Sequence, residues 1–212
     1  MTTQQPPTSQ RPPWTQLSRR GVLRIGVGGT AAAIAYHASA LDLLAQEQQG
    51  YAVFNVTDGR TIEAIVERIW PESDTPGAVE IGVPRYIDNA LIGAYQHKQL
   101  DYHKGLRNLD AAARRMHGTV FAALEPDQQT ALLESMENDE LDEFDEGEGS
   151  EFFSTIHQHT MEGLFADPIY GGNKDMAAWR AVGYPGPFYA ISEQSQQSFE
   201  PLDLPMQSIT DL

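Results

Sequence analysis

TDGRTIEAIVERIWP, residues 57–71, decides the fold class. Ile62, Ile65, Val66 and Ile69 recur at i, i+3, i+4 and i+7, which is one face of an amphipathic helix. Thr57 and Asp58 are of the types that cap helix N-termini. Trp70-Pro71 ends the helix, because the residue before a proline is pushed out of the helical region. Glu63 and Glu67 share the opposite face and read as solvated charges.

The same period continues downstream. The stretch from Pro71 to Pro84 is rich in turn residues and reads as a loop. Pro84 suits the first turn of a second helix, with Ile87, Ala90, Leu91 and Ala94 along one side. A third helix is expected from about Leu100 to Met116, with Leu106, Leu109, Ala113 and Met116 inward and Gly118 as its stop. A fourth starts at Pro126 and buries Leu132, Leu133 and Met136. The segment ENDELDEFDEGE, 137–148, has eight acidic residues in twelve. That much self-repulsion predicts a mobile, solvated loop, and the ordered spacing of a dedicated calcium loop is missing.

A fifth helix is expected from about Ser150 to Phe165. Phe152, Phe153, Ile156, Met161, Gly163, Leu164 and Phe165 cover well over half its circumference. A helix apolar nearly all round is buried, or lies between the core and a partner. No stretch reads convincingly as a strand. The expected fold is all-α: a compact bundle of about five to six helices over 57–188. A linker at 41–56 precedes it, and an extended, irregular tail at 189–212 follows.

The first forty residues read as an address. A polar, Pro-rich start gives way to Ser18-Arg19-Arg20, then Val22, Leu23 and Arg24, then a weakly apolar run from Ile25 to Ala35. Ala38-Ser39-Ala40 is a small-x-small site with cleavage expected after Ala40. The pattern resembles a twin-arginine export signal, which carries folded proteins and can carry a partner that lacks a signal. The apolar run is short for a ~30 Å hydrocarbon core and rich in Gly and Ala, which disfavours a spanning helix.

Composition excludes several chemistries. The 212 residues include no cysteine, so disulfides, zinc thiolates, iron–sulfur ligation, Cys-x-x-Cys-His haem attachment and a cysteine nucleophile are all absent. Acids outnumber Lys and Arg by 30 to 14. Four of those cations lie in the first forty residues, which hold no acid. A body this acidic repels phosphate backbones and anionic lipid, so no nucleic-acid partner is expected. There is no dinucleotide fingerprint, phosphate loop or nucleophile elbow. His157 and His159 are two apart on a helix, diverge by about 200°, and cannot chelate one ion together. His159 and Glu162 can face the same way, but that order reverses the Glu-x-x-His of di-iron bundles.

The densest chemistry lies in FADPIYGGNKDMAAWRAVGYPGP, residues 165–187. Asp167-Pro168 ends the fifth helix. Gly171-Gly172-Asn173 permits a tight turn with positive φ. Asn173 or Asp175 is placed to cap a short helix carrying Trp179 and Arg180, which Gly183-Tyr184-Pro185-Gly186-Pro187 then stops. Two readings stay open: a buried structural knot, or a docking surface made by Tyr170, Gly171, Gly172, Asn173, Trp179, Arg180 and Tyr184, since aromatics and Arg dominate interface energies.

Phe152-Phe153, His159-Thr160-Met161-Glu162-Gly163, Asp167 to Asn173, Asp175, Trp179-Arg180 and Gly183 to Pro187 together resemble the C-terminal signature of the gluconate 2-dehydrogenase subunit 3 family. Upstream, Ile69-Trp70-Pro71, Thr75 to Ala78, Gly82-Val83-Pro84, Leu124 and Pro126 to Gln129 extend the resemblance over about 56–188. It implies a small subunit that performs no catalysis itself and holds no cofactor. It further implies a large FAD-dependent partner of the GMC type acting on a sugar or sugar acid, and a multihaem cytochrome c subunit as a possible third member. The small subunit stabilises the large one and brings it to the twin-arginine translocon, which places the complex in the periplasm or on the outer face of the cytoplasmic membrane. The acidic run and the tail lie outside the shared pattern, and the substrate is not implied. A stand-alone exported helical protein that binds a metal or a ligand is the alternative.

Overall fold

Asn55, rather than Thr57 or Asp58, caps the first helix. In the computed structural model its side-chain oxygen accepts from the amides of Thr57 and Asp58 at 2.8 and 3.0 Å, and α1 runs Val56–Ile69. The structure describes residues 50–188, 193, 197 and 204–212. Arg19, Arg20 and Ala40, with the export signal they define, lie outside the described residues. Ile62, Ile65 and Val66 are fully buried, as their spacing requires, and Trp70 leaves the helical region at φ −135 before Pro71.

The expected loop from Pro71 to Pro84 contains a four-residue helix, α2, Ala78–Ile81. Four residues are too few to print a period in the sequence. Trp70 orients it: its carbonyl accepts the Ala78 amide, and its indole donates to the Pro76 carbonyl. Gly82, left-handed at φ 94, then turns the chain directly into α3, Val83–Ile92. Val83, Ile87 and Leu91 are buried, whereas Ala94 lies exposed beyond the helix end.

The polar residue in that inward row is Asp88, which is fully buried. Its carboxylate accepts the backbone amides of Ala52, Val53 and Phe54 at 2.7, 2.8 and 3.2 Å. Three donors answer a buried carboxylate that would otherwise be costly. This clasp pulls the end of the expected linker into the domain, with Phe54 fully buried beneath it.

α4 spans Gln99–His117 and stops at Gly118. Leu106, Leu109 and Ala113 face inward as expected, but Met116 is half exposed, and Tyr102 takes a fully buried place. α5, Pro126–Glu137, carries a reciprocal capping box between Glu125 and Gln128 and buries Leu132, Leu133 and Met136. α6 spans Glu148–Phe165 and α7 Ala177–Val182. Five longer helices and two short ones thus form the bundle, with no strand among the described residues.

The acidic run departs from the mobile loop that its charge predicts. Leu141 is buried and Phe144 packs on the core. Arg115 of α4 makes two bonds to Glu143, Lys104 holds Glu148 at 2.7 Å, and Asp139 accepts the Ser150 amide and hydroxyl at 2.9 Å each. Exposed ion pairs contribute little singly. The two apolar side chains supply the anchoring, which a count of charges hides.

The described end of the tail is docked too. The Gln207 amide donates to the Pro185 carbonyl at 2.9 Å, and residues Ile209–Asp211 form a short 3-10 turn capped by Ser208.

Candidate functional site

Residues 165–187 lie where the end of α6, the 3-10 turn Pro168–Tyr170 and α7 meet. Asp167 organises the first corner. One carboxylate oxygen accepts the Ile169 amide at 3.1 Å and the Ser208 hydroxyl at 2.8 Å; the other accepts the Ile209 amide at 2.8 Å. Burial pushes its carboxyl upward, but the Ile209 and Ile169 amides and the Ser208 hydroxyl outweigh this and hold it below the usual carboxylate range.

Gly171-Gly172-Asn173 forms the second corner. Gly171 is left-handed at φ 97. Gly172 lies so close to the Gly163 carbonyl that a Cβ there would strike it. Asn173, itself left-handed at φ 44, donates its amide to Gly163 at 2.9 Å and its side-chain nitrogen to Ala166 at 3.0 Å. Its side-chain oxygen accepts the Ala178 amide in the first turn of α7 at 3.1 Å, although the N-cap position of that helix is Met176 rather than the expected Asn173 or Asp175. Trp179 is only 3% exposed, donates its indole N–H to the Phe165 carbonyl at 2.8 Å and meets the Tyr184 ring edge-on.

The two readings of this stretch therefore divide residue by residue. Gly172, Asn173 and Trp179 are buried and hold the end of α6, so they are internal fastenings. Tyr170, Arg180 and Tyr184 remain at the surface, with Tyr170 56% and Tyr184 45% exposed. Gly171 is partly covered and shapes the turn that presents Tyr170.

One turn earlier, His159 and Glu162 do face the same way, into a cluster of tyrosines. Glu162 accepts the hydroxyls of Tyr86 and Tyr95 at 2.9 and 3.0 Å, and the Gln158 amide nitrogen at 2.8 Å. His159 shares a 2.8 Å hydrogen bond between Nδ1 and the Tyr102 hydroxyl, and its ring stacks on Tyr95 with centroids 4.1 Å apart. Burial lowers the affinity of His159 for a proton, so the imidazole is neutral near pH 7 and accepts from Tyr102. Burial raises Glu162, but the bonds from Gln158, Tyr86 and Tyr95 prevail and hold it below the ordinary range. Burial, reinforced by the carboxylate, raises Tyr86. Both Glu162 oxygens and His159 Nδ1 are therefore engaged by donors inside the chain. His157 points away and is exposed.

Sequence reasoning missed Tyr86, Tyr95 and Tyr102. They come from α3, the connection after it and α4, and no periodicity relates them to His159 or Glu162. Among the described residues no three His, Cys, Asp or Glu side chains converge as a metal site. Two of the clefts shaped by described residues are small. A cleft of about 120 Å³ lies between α4 and α6, where Lys98 and Lys104 are already paired with Glu151 and Glu148. Another of about 200 Å³ lies beside Arg68, Glu134 and His157. Both fall below the ~300 Å³ at which small-molecule pockets usually begin. No helix among the described residues is long and apolar enough to cross a membrane.

A comparison with protein families matches residues 57–186 to the family described as gluconate 2-dehydrogenase subunit 3. Comparisons with curated proteins and with solved structures return no significant match. The matched span takes in every helix from α1 to α7, the tyrosine-lined His159–Glu162 pair and the fastened 165–187 stretch, and on that basis the chain belongs to the gluconate 2-dehydrogenase subunit 3 family.

Proposed function

We propose that this chain is the non-catalytic small subunit of an exported flavin-dependent dehydrogenase. It stabilises a large FAD-carrying subunit of the GMC type and escorts that subunit, already folded, through the twin-arginine translocon. The large subunit abstracts hydride from a sugar or sugar acid onto its flavin, and a multihaem cytochrome c subunit takes the electrons onward. The complex then works in the periplasm or on the outer face of the cytoplasmic membrane.

One observation carries this reading. The polar and aromatic groups of the family signature, which on a catalytic subunit would face a substrate, here bond to their own chain. Asp167 holds Ser208 and Ile209, Asn173 holds α6 to α7, Trp179 is tied to Phe165, and Glu162 is taken by two tyrosines. The Ser18 to Arg24 pattern and the absence of cysteine support it from the sequence.

The test is a purified flavoprotein subunit with and without this chain. Binding to the folded partner only must raise that partner's melting temperature by mass action. The reading predicts a rise that saturates at a fixed stoichiometry, and no dye-linked oxidation of sugars by this chain alone. Oxidation by the isolated chain, or a stoichiometric metal in it by elemental analysis, contradicts the reading.

A further inference from the structure

Ten large hydrophobic side chains are exposed among the described residues, and half of them are brought together from three separate places in the chain: Ile92, Ile169, Tyr170, Ile209 and Leu212. The connections are short. Ile169 and Ile209 are anchored by their amides on the two oxygens of the same Asp167 carboxylate. The Tyr170 carbonyl accepts from the Asn89 side-chain amide of α3 at 3.2 Å, and Ile92 lies one turn further along that helix. Leu212 closes the 3-10 turn that starts at Ile209. Single exposed apolar residues are ordinary, but a contiguous group on a stiff frame marks an interaction surface.

Resting on the accessory-subunit reading, we infer that this face, built from the end of α3, the 168–171 turn and residues 209–212, is where the flavoprotein subunit docks. The partner surface that fits it is apolar at its centre and carries Lys and Arg around its rim. Charge selects this occupant over a second copy of the chain. The segments 168–171 and 209–212 carry one acid, Asp211, and no Lys or Arg, while the whole chain carries −16. Two copies approaching through this face would bring two strongly acidic bodies together. A basic-rimmed partner is drawn in by the same field and can pair its rim cations with Asp211, which lies between Ile209 and Leu212. The frame is also preorganised, since Asp167, Gly172 and Asn173 hold it through bonds already made in the free chain, which lowers the entropic cost of association.

The experiment uses the full chain co-expressed with a GMC-type FAD-containing subunit from its own host, detected by flavin absorbance in size-exclusion and binding measurements. Ile169→Asp, Tyr170→Asp and Ile209→Asp are compared with Met116→Asp, which alters a comparably exposed apolar residue at the C-terminal end of α4, outside the face. All four side chains point to solvent, so the isolated variants should melt like the wild type. The inference predicts at least a tenfold loss of affinity for each face variant, none for Met116→Asp, and weaker binding as salt is raised. Wild-type binding that all three face variants retain would overturn the face while leaving the accessory-subunit reading intact. A dimer of the isolated chain that the same variants abolish would also overturn it. Absence of any complex with the wild-type chain would sink the accessory-subunit reading itself.

Discussion

His159 shows how burial writes a pH dependence into a structural residue. Its folded affinity for a proton is depressed by burial, so the unfolded chain binds that proton more readily. A group depressed on folding contributes stability that is present above its unfolded value, near 6.5, and lost as pH falls through the folded value. Glu162 is also depressed, and its contribution is lost in a lower window, below its ordinary 4.5. The wild-type chain should therefore lose stability as pH falls through the ordinary histidine value of 6.5. His159→Gln, which can still accept from Tyr102, should show a smaller loss in urea titrations as pH falls through 6.5; an unchanged loss would remove His159 as its source. Trp179 carries a different lesson. Its residue type suits an interface, but its indole is tied to Phe165 and nearly enclosed. Trp179→Ala should cost the isolated chain about 3–5 kcal/mol, read from thermal or urea melts. Near-wild-type stability would contradict its place in the core. Periodicity could not have foretold Asp88 either: a buried aspartate in an apolar row reads as an interruption until its three amide donors are in view.

At the scale of elements, periodicity located the longer helices to within a few residues, because each buries a stripe long enough to show its period. It failed where the determinant is not a stripe. α2 is too short, and the acidic run is held by Leu141, Phe144 and cations of α4 rather than by its own composition. The junction between α6 and α7 depends on close backbone approach. A Cβ on Gly172 would meet the Gly163 carbonyl, which is backbone and cannot swing aside. Gly172→Ala should therefore destabilise by about 1–3 kcal/mol and weaken the Asn173 bonds, visible as faster amide exchange at Asn173 and Ala178. Wild-type exchange at both amides would show that the junction tolerates the methyl group and that the close approach is not its determinant.

For the whole molecule, the bundle closes over one core to which all five longer helices contribute, and both described ends are fastened to it. Asp88 clasps residues 52–54, and Asp167 clasps residues 208 and 209. Neither clasp was legible in the sequence, since each joins residues more than thirty positions apart through backbone amides that leave no compositional trace. The candidate site was half legible. The 165–187 stretch was located, and its turn and cap chemistry followed from Gly171, Gly172 and Asn173. Which of its aromatics faces outward depended on the path of α6 and the return of the tail. The central claim, that this chain serves a flavoprotein rather than a substrate, is tested most directly by deleting it in its own host and assaying dye-linked dehydrogenase activity in the exported fraction. The account predicts that the activity disappears from that fraction, that the flavoprotein is retained in the cytoplasm or degraded, and that replacing Arg19 and Arg20 together with Lys has the same effect as deletion. An exported, fully active flavoprotein in the deletion strain would contradict it.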